Sequence, residues 1–225
     1  MKEHFIKAKE NLINLLAQMS SEAENSVYGA IHAVETCSLE EAKEIINKDY
    51  DIDALENEIE EECLKTLALY QPVASDLRQI IMVLKVNNEV ERVGDLAVNI
   101  AERVEDICFY QDKGIDRFNF HDMVKKASEM LRKSLDSLTY LDVVMARSVL
   151  ESDDAVDDIH RNNYRRVSKA ILKHADGAQY YMDCLTISRC LERIADIATN
   201  IAEDVIYMQS GIIVRHQHEG EKNGE

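Results

Sequence analysis

Proline occurs once in the 225 residues and glycine seven times. Helix breakers are that scarce, so long helices are the expectation. No apolar run approaches the roughly 18–20 residues that span a bilayer, and no direct membrane insertion is expected. The first residues, MKEHFIKAKENL, lack the apolar core of a signal peptide. The five cysteines, Cys37, Cys63, Cys108, Cys184 and Cys190, show no C-x-x-C spacing. Without Cys/His clusters a structural zinc site is disfavoured; reduced thiols in a cytoplasmic protein are expected, packed as small apolar residues. There is no glycine-rich phosphate loop, no G-x-S-x-G and no Cys/His nucleophile signature, and no enzyme is expected. Bases are in short supply, 26 against 43 acids, for a net charge of −17. Such a chain repels nucleic-acid phosphate, so no nucleic-acid partner is expected.

What is present is helical text. The length suffices for one large domain or two small ones with a hydrophobic core. Six helices are predicted: about 2–36, 39–70, 75–110, 120–140, 142–175 and 179–209. Ser38 and Glu41 in SLEE form a capping box for the second helix. Pro72 stops the second helix, and Ser75 is positioned to cap the third. Gly114 in QDKGID marks a linker, and Gly177 in ADGA suits a left-handed C-cap. The end of the chain, HQHEGEKNGE, is polar; residues 211–225 are expected to be disordered, and the pair His216 and His218 there is weak evidence for metal.

The halves repeat. ERVGDLAVNIAE, Glu91 to Glu102, returns as ERIADIATNIAE, Glu192 to Glu203, an offset of 101. Asp49 and Asp53 return as Asp153 and Asp157, an offset of 104. The difference falls in an interhelical turn, where length changes belong. The predicted fold is all-α: two tandem pseudo-symmetric antiparallel three-helix bundles, residues 1–112 and 117–210.

At about 100° per residue, Glu91, Asp95, Asn99 and Glu102 fall within about 80° of one another, away from Val93, Leu96, Ile100 and Val104. The copied residues are the polar ones, whereas Val93 becomes Ile194 and Val98 becomes Thr199. Carboxylates at i and i+4 repel by a few tenths of a kcal/mol, so a cation is called for. Two answers fit. One is a solvated, salt-bridged face, with Arg92 among the counter-charges. The other is a metal ion held by converging carboxylates, four per bundle: Asp49, Asp53, Glu91 and Asp95, then Asp153, Asp157, Glu192 and Asp196. A ferritin-like di-iron centre needs two Glu-x-x-His motifs; only DDIH, with Asp157 and His160, is similar, and Glu56 stands at the matching position in the first half.

QPVASDLR, ERVGDLAVNIAE, LERIADIATNIAEDVIYMQSG and GIIVRH, in that order and over nearly the whole chain, resemble the PhoU family of phosphate-uptake regulators. The resemblance implies tandem three-helix bundles with E/D-x-x-x-D motifs able to bind multinuclear metal clusters. On this chain those motifs land on the eight carboxylates above, with Asn99, Glu102, Asn200 and Glu203 extending the stripes. Divalent or trivalent ions follow as cofactors: iron, zinc, manganese, magnesium or calcium. The implied role is a cytoplasmic negative regulator of the phosphate-starvation response, an adaptor between the ATPase subunit of a phosphate ABC transporter and a sensor histidine kinase, working as a homodimer. The alternatives are a carboxylate-bundle metalloprotein with a redox or storage role, and a regulator of another phosphate transporter without a kinase.

Overall fold

A computed structural model describes residues 2–110, 113 and 117–210; Gly114, Gly211, His216, His218 and the segment 211–225 lie outside the described residues. Among the described residues eight helices follow in order: α1 (Lys2–Thr36), α2 (Leu39–Tyr70), α3 (Ala74–Ala101), α4 (Val104–Phe109), α5 (His121–Tyr140), α6 (Val143–Leu150), α7 (Asp153–Lys173) and α8 (Ala178–Ser210), with one 3₁₀ turn at Ala175–Gly177. Among the described residues there is no strand.

The helices begin and end largely for local reasons. Ser38 Oγ accepts from the Glu41 backbone N–H at 3.2 Å and starts α2. Gln71 closes α2 in the left-handed region, its N–H donating to Leu67 O at 3.1 Å. Asp142 accepts from the N–H groups of Val144 and Met145 and starts α6. Four expectations need correction. The third predicted helix is interrupted at Glu102–Arg103, and the fifth at Glu151–Ser152. Ser75 does not cap α3, which begins at Ala74 after an extended Val73 with no side-chain cap bond. Gly177 is not a C-cap either: α7 ends at Lys173, and Gly177 donates to His174 O within the 3₁₀ turn.

The apolar periodicity explains the packing. On α1, Leu12, Leu16, Met19, Ala23, Val27, Ala30 and Val34 make one buried stripe. The equivalent stripe on α8 is Cys184, Ile187, Leu191, Ile194, Ala198, Ile201 and Val205. In the first bundle α1, α2 and α3 pack pairwise; in the second α5 packs on α8, and α6 and α7 complete the layer. The bundles join where α3 meets α8, with α1 against α5 beside it. Thus α3 and α8 each serve their own bundle and one another. Burying so wide a face leaves each only a narrow polar strip, and that strip carries the repeated acids.

Candidate metal-binding grooves

The first groove lies between α2 and α3. Asp49 and Glu91 are half-buried, Asp53 and Asp95 exposed. The helices approach closely because residue 94 is glycine: a Cβ there would stand 2.9 Å from Ile52 Cδ1 and 3.2 Å from Asp49 Oδ1. Burial, followed by the charges of Asp95, Glu56, Asp53 and Asp49, pushes the Glu91 carboxyl up to about 7 from an ordinary 4.5. Burial, then Asp53 and Asp95, raises Asp49 as well. Asp49 feels Asp95, and Glu91 feels Asp49 and Asp53, across the two helices, so the four predicted carboxylates form one electrostatic group.

Sequence reasoning missed a fifth member. Glu56, half-buried on α2, is raised by burial and then by Asp53, Glu60 and Asp95. Its signal was available: positions 49, 53 and 56 follow a helical 4, 3 spacing on one face. The counter-charge offered by sequence does not serve here. Arg92 Nη1 sits 3.1 Å from Glu89 instead. Among the described residues no Lys, Arg or His makes an ion pair with Asp49, Asp53, Glu91 or Asp95.

The second groove lies between α7 and α8. Asp153, Asp157 and Glu192 are half-buried and Asp196 is exposed. Burial, then Asp157, Asp196, Asp154 and Glu192, pushes Asp153 up to about 6 from 3.8. Glu192 and Asp196 are raised by burial first, then by their acidic neighbours, with Arg193 pulling both back and Arg189 also acting on Glu192. Arg161 lies 3.9 Å from Asp157 and 2.7 Å from Asp158. His160, the counterpart of Glu56, shares a hydrogen bond of 3.0 Å with Ser188, which also accepts from Asn163. That ring is tied into the bundle by its neighbours. Of the outer residues, Asn99 donates to its own helix at Asp95 O, and Glu102 lies 3.5 Å from Arg103. Asn200 and Glu203 are half-buried on α8.

The donor set suits a hard cation: oxygen ligands, several per groove, mutually repelling. Asp153 Oδ1 is buried and has no hydrogen-bond partner, a cost of about 1–3 kcal/mol that a bound cation would relieve. The arrangement is not a finished coordination shell, however. Among the described residues no three His, Cys, Asp or Glu side chains are gathered as a preformed metal-binding group. A cation held here would require the carboxylates to rotate about χ1 and χ2.

Two helical repeats joined along α3 and α8, each with an acidic groove between neighbouring helices, define a tandem helical-bundle protein. The chain belongs to the PhoU family: the PhoU domain profile matches it twice, over residues 16–104 and 120–205. It is 36% identical over 217 residues to the phosphate-specific transport system accessory protein PhoU homolog of Aquifex aeolicus, covering 96% of each chain. It is 30% identical to the homolog from Pseudomonas aeruginosa, covering 95% of this chain and 88% of that one. The crystal structure of PhoU from P. aeruginosa superposes with a TM-score of 0.86 at 30% identity, covering 92% of this chain and 100% of that one. The phosphate transport system regulatory protein PhoU from Streptococcus pneumoniae gives 0.85 at 26% identity, covering 93% and 99%. Among the described residues no helix is long and apolar enough to cross a membrane.

Proposed function

We propose that this protein regulates phosphate transport as a non-catalytic accessory of a phosphate ABC transporter. The observation that carries the reading is the relation, over 96% of both chains, to a protein named as a phosphate-specific transport system accessory protein. In this reading the protein works at the cytoplasmic face of the membrane as a homodimer. It contacts the transporter's ATPase subunit and a sensor histidine kinase, and it holds the starvation response off when phosphate is plentiful.

The grooves supply the chemistry of that role. Asp49, Asp53, Glu91 and Asp95, with Glu56 beside them, hold one cation or cluster; Asp153, Asp157, Glu192 and Asp196 hold the other. A bound ion neutralises the crowded carboxylates and fixes α2 against α3 and α7 against α8. The chain's own residues set the positions: Gly94 permits the close approach, and the apolar faces behind the acids keep the strips facing outward.

The reading is tested in a deletion strain carrying a phosphate-responsive reporter. The reporter is expected to be active in rich phosphate and silenced by the wild-type gene, and an affinity pull-down at high phosphate is expected to recover the ATPase subunit. A reporter that stays silent in the deletion strain removes the adaptor role.

A further inference from the structure

The repeat places two positions side by side in each half. Cys37 ends α1 in the left-handed region, at φ 55°, just before the N-cap Ser38. Leu141, 104 residues on, ends α5 at φ 52°, just before the N-cap Asp142. Cys108, on α4, corresponds by the offset of 101 to Gln209 near the end of α8. In the second half the pair touches, Gln209 Nε2 donating to Leu141 O at 3.4 Å. In the first half α4 likewise packs on the end of α1, Cys37 and Ile107 line one cavity, and the two equivalent residues are cysteines close enough to interact. The fold brings these positions together whatever their identity, and only the first bundle fills both with sulfur.

We propose that Cys37 and Cys108 are an oxidative modification site, converted by a peroxide to a reversible intramolecular disulfide. Both side chains are partly exposed, whereas Cys63, Cys184 and Cys190 are buried. Cys37 also lines a cavity of about 550 Å³ with Val34, Ile107, Arg117 and Tyr180, a route for a small oxidant. Cys108, whose thiol burial pushes up, is the resolving residue, and Cys37, which lines the cavity, is the attacking sulfur. Its thiolate attacks one peroxide oxygen; an S–O bond forms and the O–O bond breaks, releasing water or an alcohol. The Cys108 sulfur then attacks Cys37 sulfur; the S–S bond forms and the S–O bond breaks. Its thiol proton leaves with hydroxide as a second water. The two sulfurs are oxidised by two electrons in total and the peroxide is reduced by two. The bridge ties the α1–α2 turn to α4, so it braces the end of the first bundle and leaves the second untouched.

The test uses the full-length protein, reduced, then treated with a few equivalents of hydrogen peroxide. It is denatured and alkylated, and its peptides are mapped without reductant. Wild type is expected to lose two of its five alkylatable thiols, with a Cys37–Cys108 cross-linked peptide that dithiothreitol removes. Cys37→Ser and Cys108→Ser are each expected to abolish the cross-link. A variant carrying both serines together with Leu141→Cys and Gln209→Cys is expected to form the equivalent bridge in the second bundle, which checks the geometry independently. Five thiols surviving in wild type, over-oxidation of Cys37 without a bridge, or a bridge from Cys37 to Cys184 would each overturn the proposal.

Discussion

In the first groove the carboxyl pushed highest is Glu91, on the central helix α3; in the second it is Asp153, at the start of α7 on the outer layer. The copied residues are the same, but their settings are not. The outer helix of the first groove, α2, runs unbroken from Leu39 to Tyr70, and Asp49 sits well inside it, beyond the first turns. Its counterpart is split at Glu151–Ser152, so Asp153 falls in the first turn of α7. The favourable field of a helix N-terminus does not offset the burial of that carboxyl. The cations differ too. Arg161, Arg189 and Arg193 temper the second groove, whereas the arginine nearest in sequence to the first, Arg92, is engaged by Glu89. The lesson is that a duplicated set of acids does not make duplicated settings: the first groove has no arginine paired to its acids, and the second has part of its charge offset by arginines.

The largest expected effect is on metal binding. In chelator-treated protein, added manganese is expected to raise the melting temperature, with a stabilisation of about 2.7 kcal/mol at a hundredfold excess over the dissociation constant. Asp95→Asn is expected to remove more of that gain than Asp196→Asn, because the first groove lacks compensating arginines. Equal losses would break the comparison, and no metal-dependent shift in any of the three proteins would remove the metal sites themselves.

A smaller effect separates Gly94 from its counterpart Ala195. Ala195 is 1% exposed, so Ala195→Gly loses a buried methyl and about 1 kcal/mol of helix propensity, about 2 kcal/mol in all. Gly94→Ala gains the propensity but drives a Cβ against Ile52, itself only 1% exposed, and towards Asp49. Overpacking of about 1–3 kcal/mol then outweighs the gain, for a net loss of about 1 kcal/mol. Urea denaturation measures both. A stabilised Gly94→Ala protein would show that α2 and α3 are free to part at the first groove.

The smallest effect is on pH, because solvent screens half-exposed carboxylates. Glu91 is raised in the folded protein, so between its ordinary 4.5 and about 7 the folded state binds more protons than the unfolded one. The stability Glu91 contributes is therefore complete below pH 4.5 and is lost as pH rises through about 7. For Asp153 the window runs from 3.8 to about 6. In metal-free protein, Glu91→Gln is expected to flatten the decline between pH 6 and 7, and Asp153→Asn to act only at lower pH. Identical melting profiles for the two variants would place the grooves on an equal footing.

The repeat was legible because two independent offsets, 101 and 104, carried whole polar patterns, and SLEE at Ser38 announced its helix start in plain chemistry. The interruptions at Glu102–Arg103 and Glu151–Ser152 were not. Neither contains proline or glycine, and Arg103, Glu151 and Ser152 keep right-handed backbone angles close to helical, so no residue type marks the break. Asn99 read as part of the stripe by its angle, but its amide turns back to Asp95 O, which only the side-chain geometry shows. Glu56 was met only as the counterpart of His160 and was not counted with the acids, because a pattern sought by repetition passes over the position where the repeat changes chemistry.

The contact between α3 and α8 also bears on how the chain can be divided. Each repeat spends part of its central helix on the other repeat, so a fragment ending before Phe118 would leave an apolar strip of α3 facing water. Two such fragments hold, in one another, the surface each is missing. Cut in half, this protein is expected to become a dimer of fragments rather than two independent domains; the intact chain is that dimer with its partners sewn together, and it is expected to melt as one body.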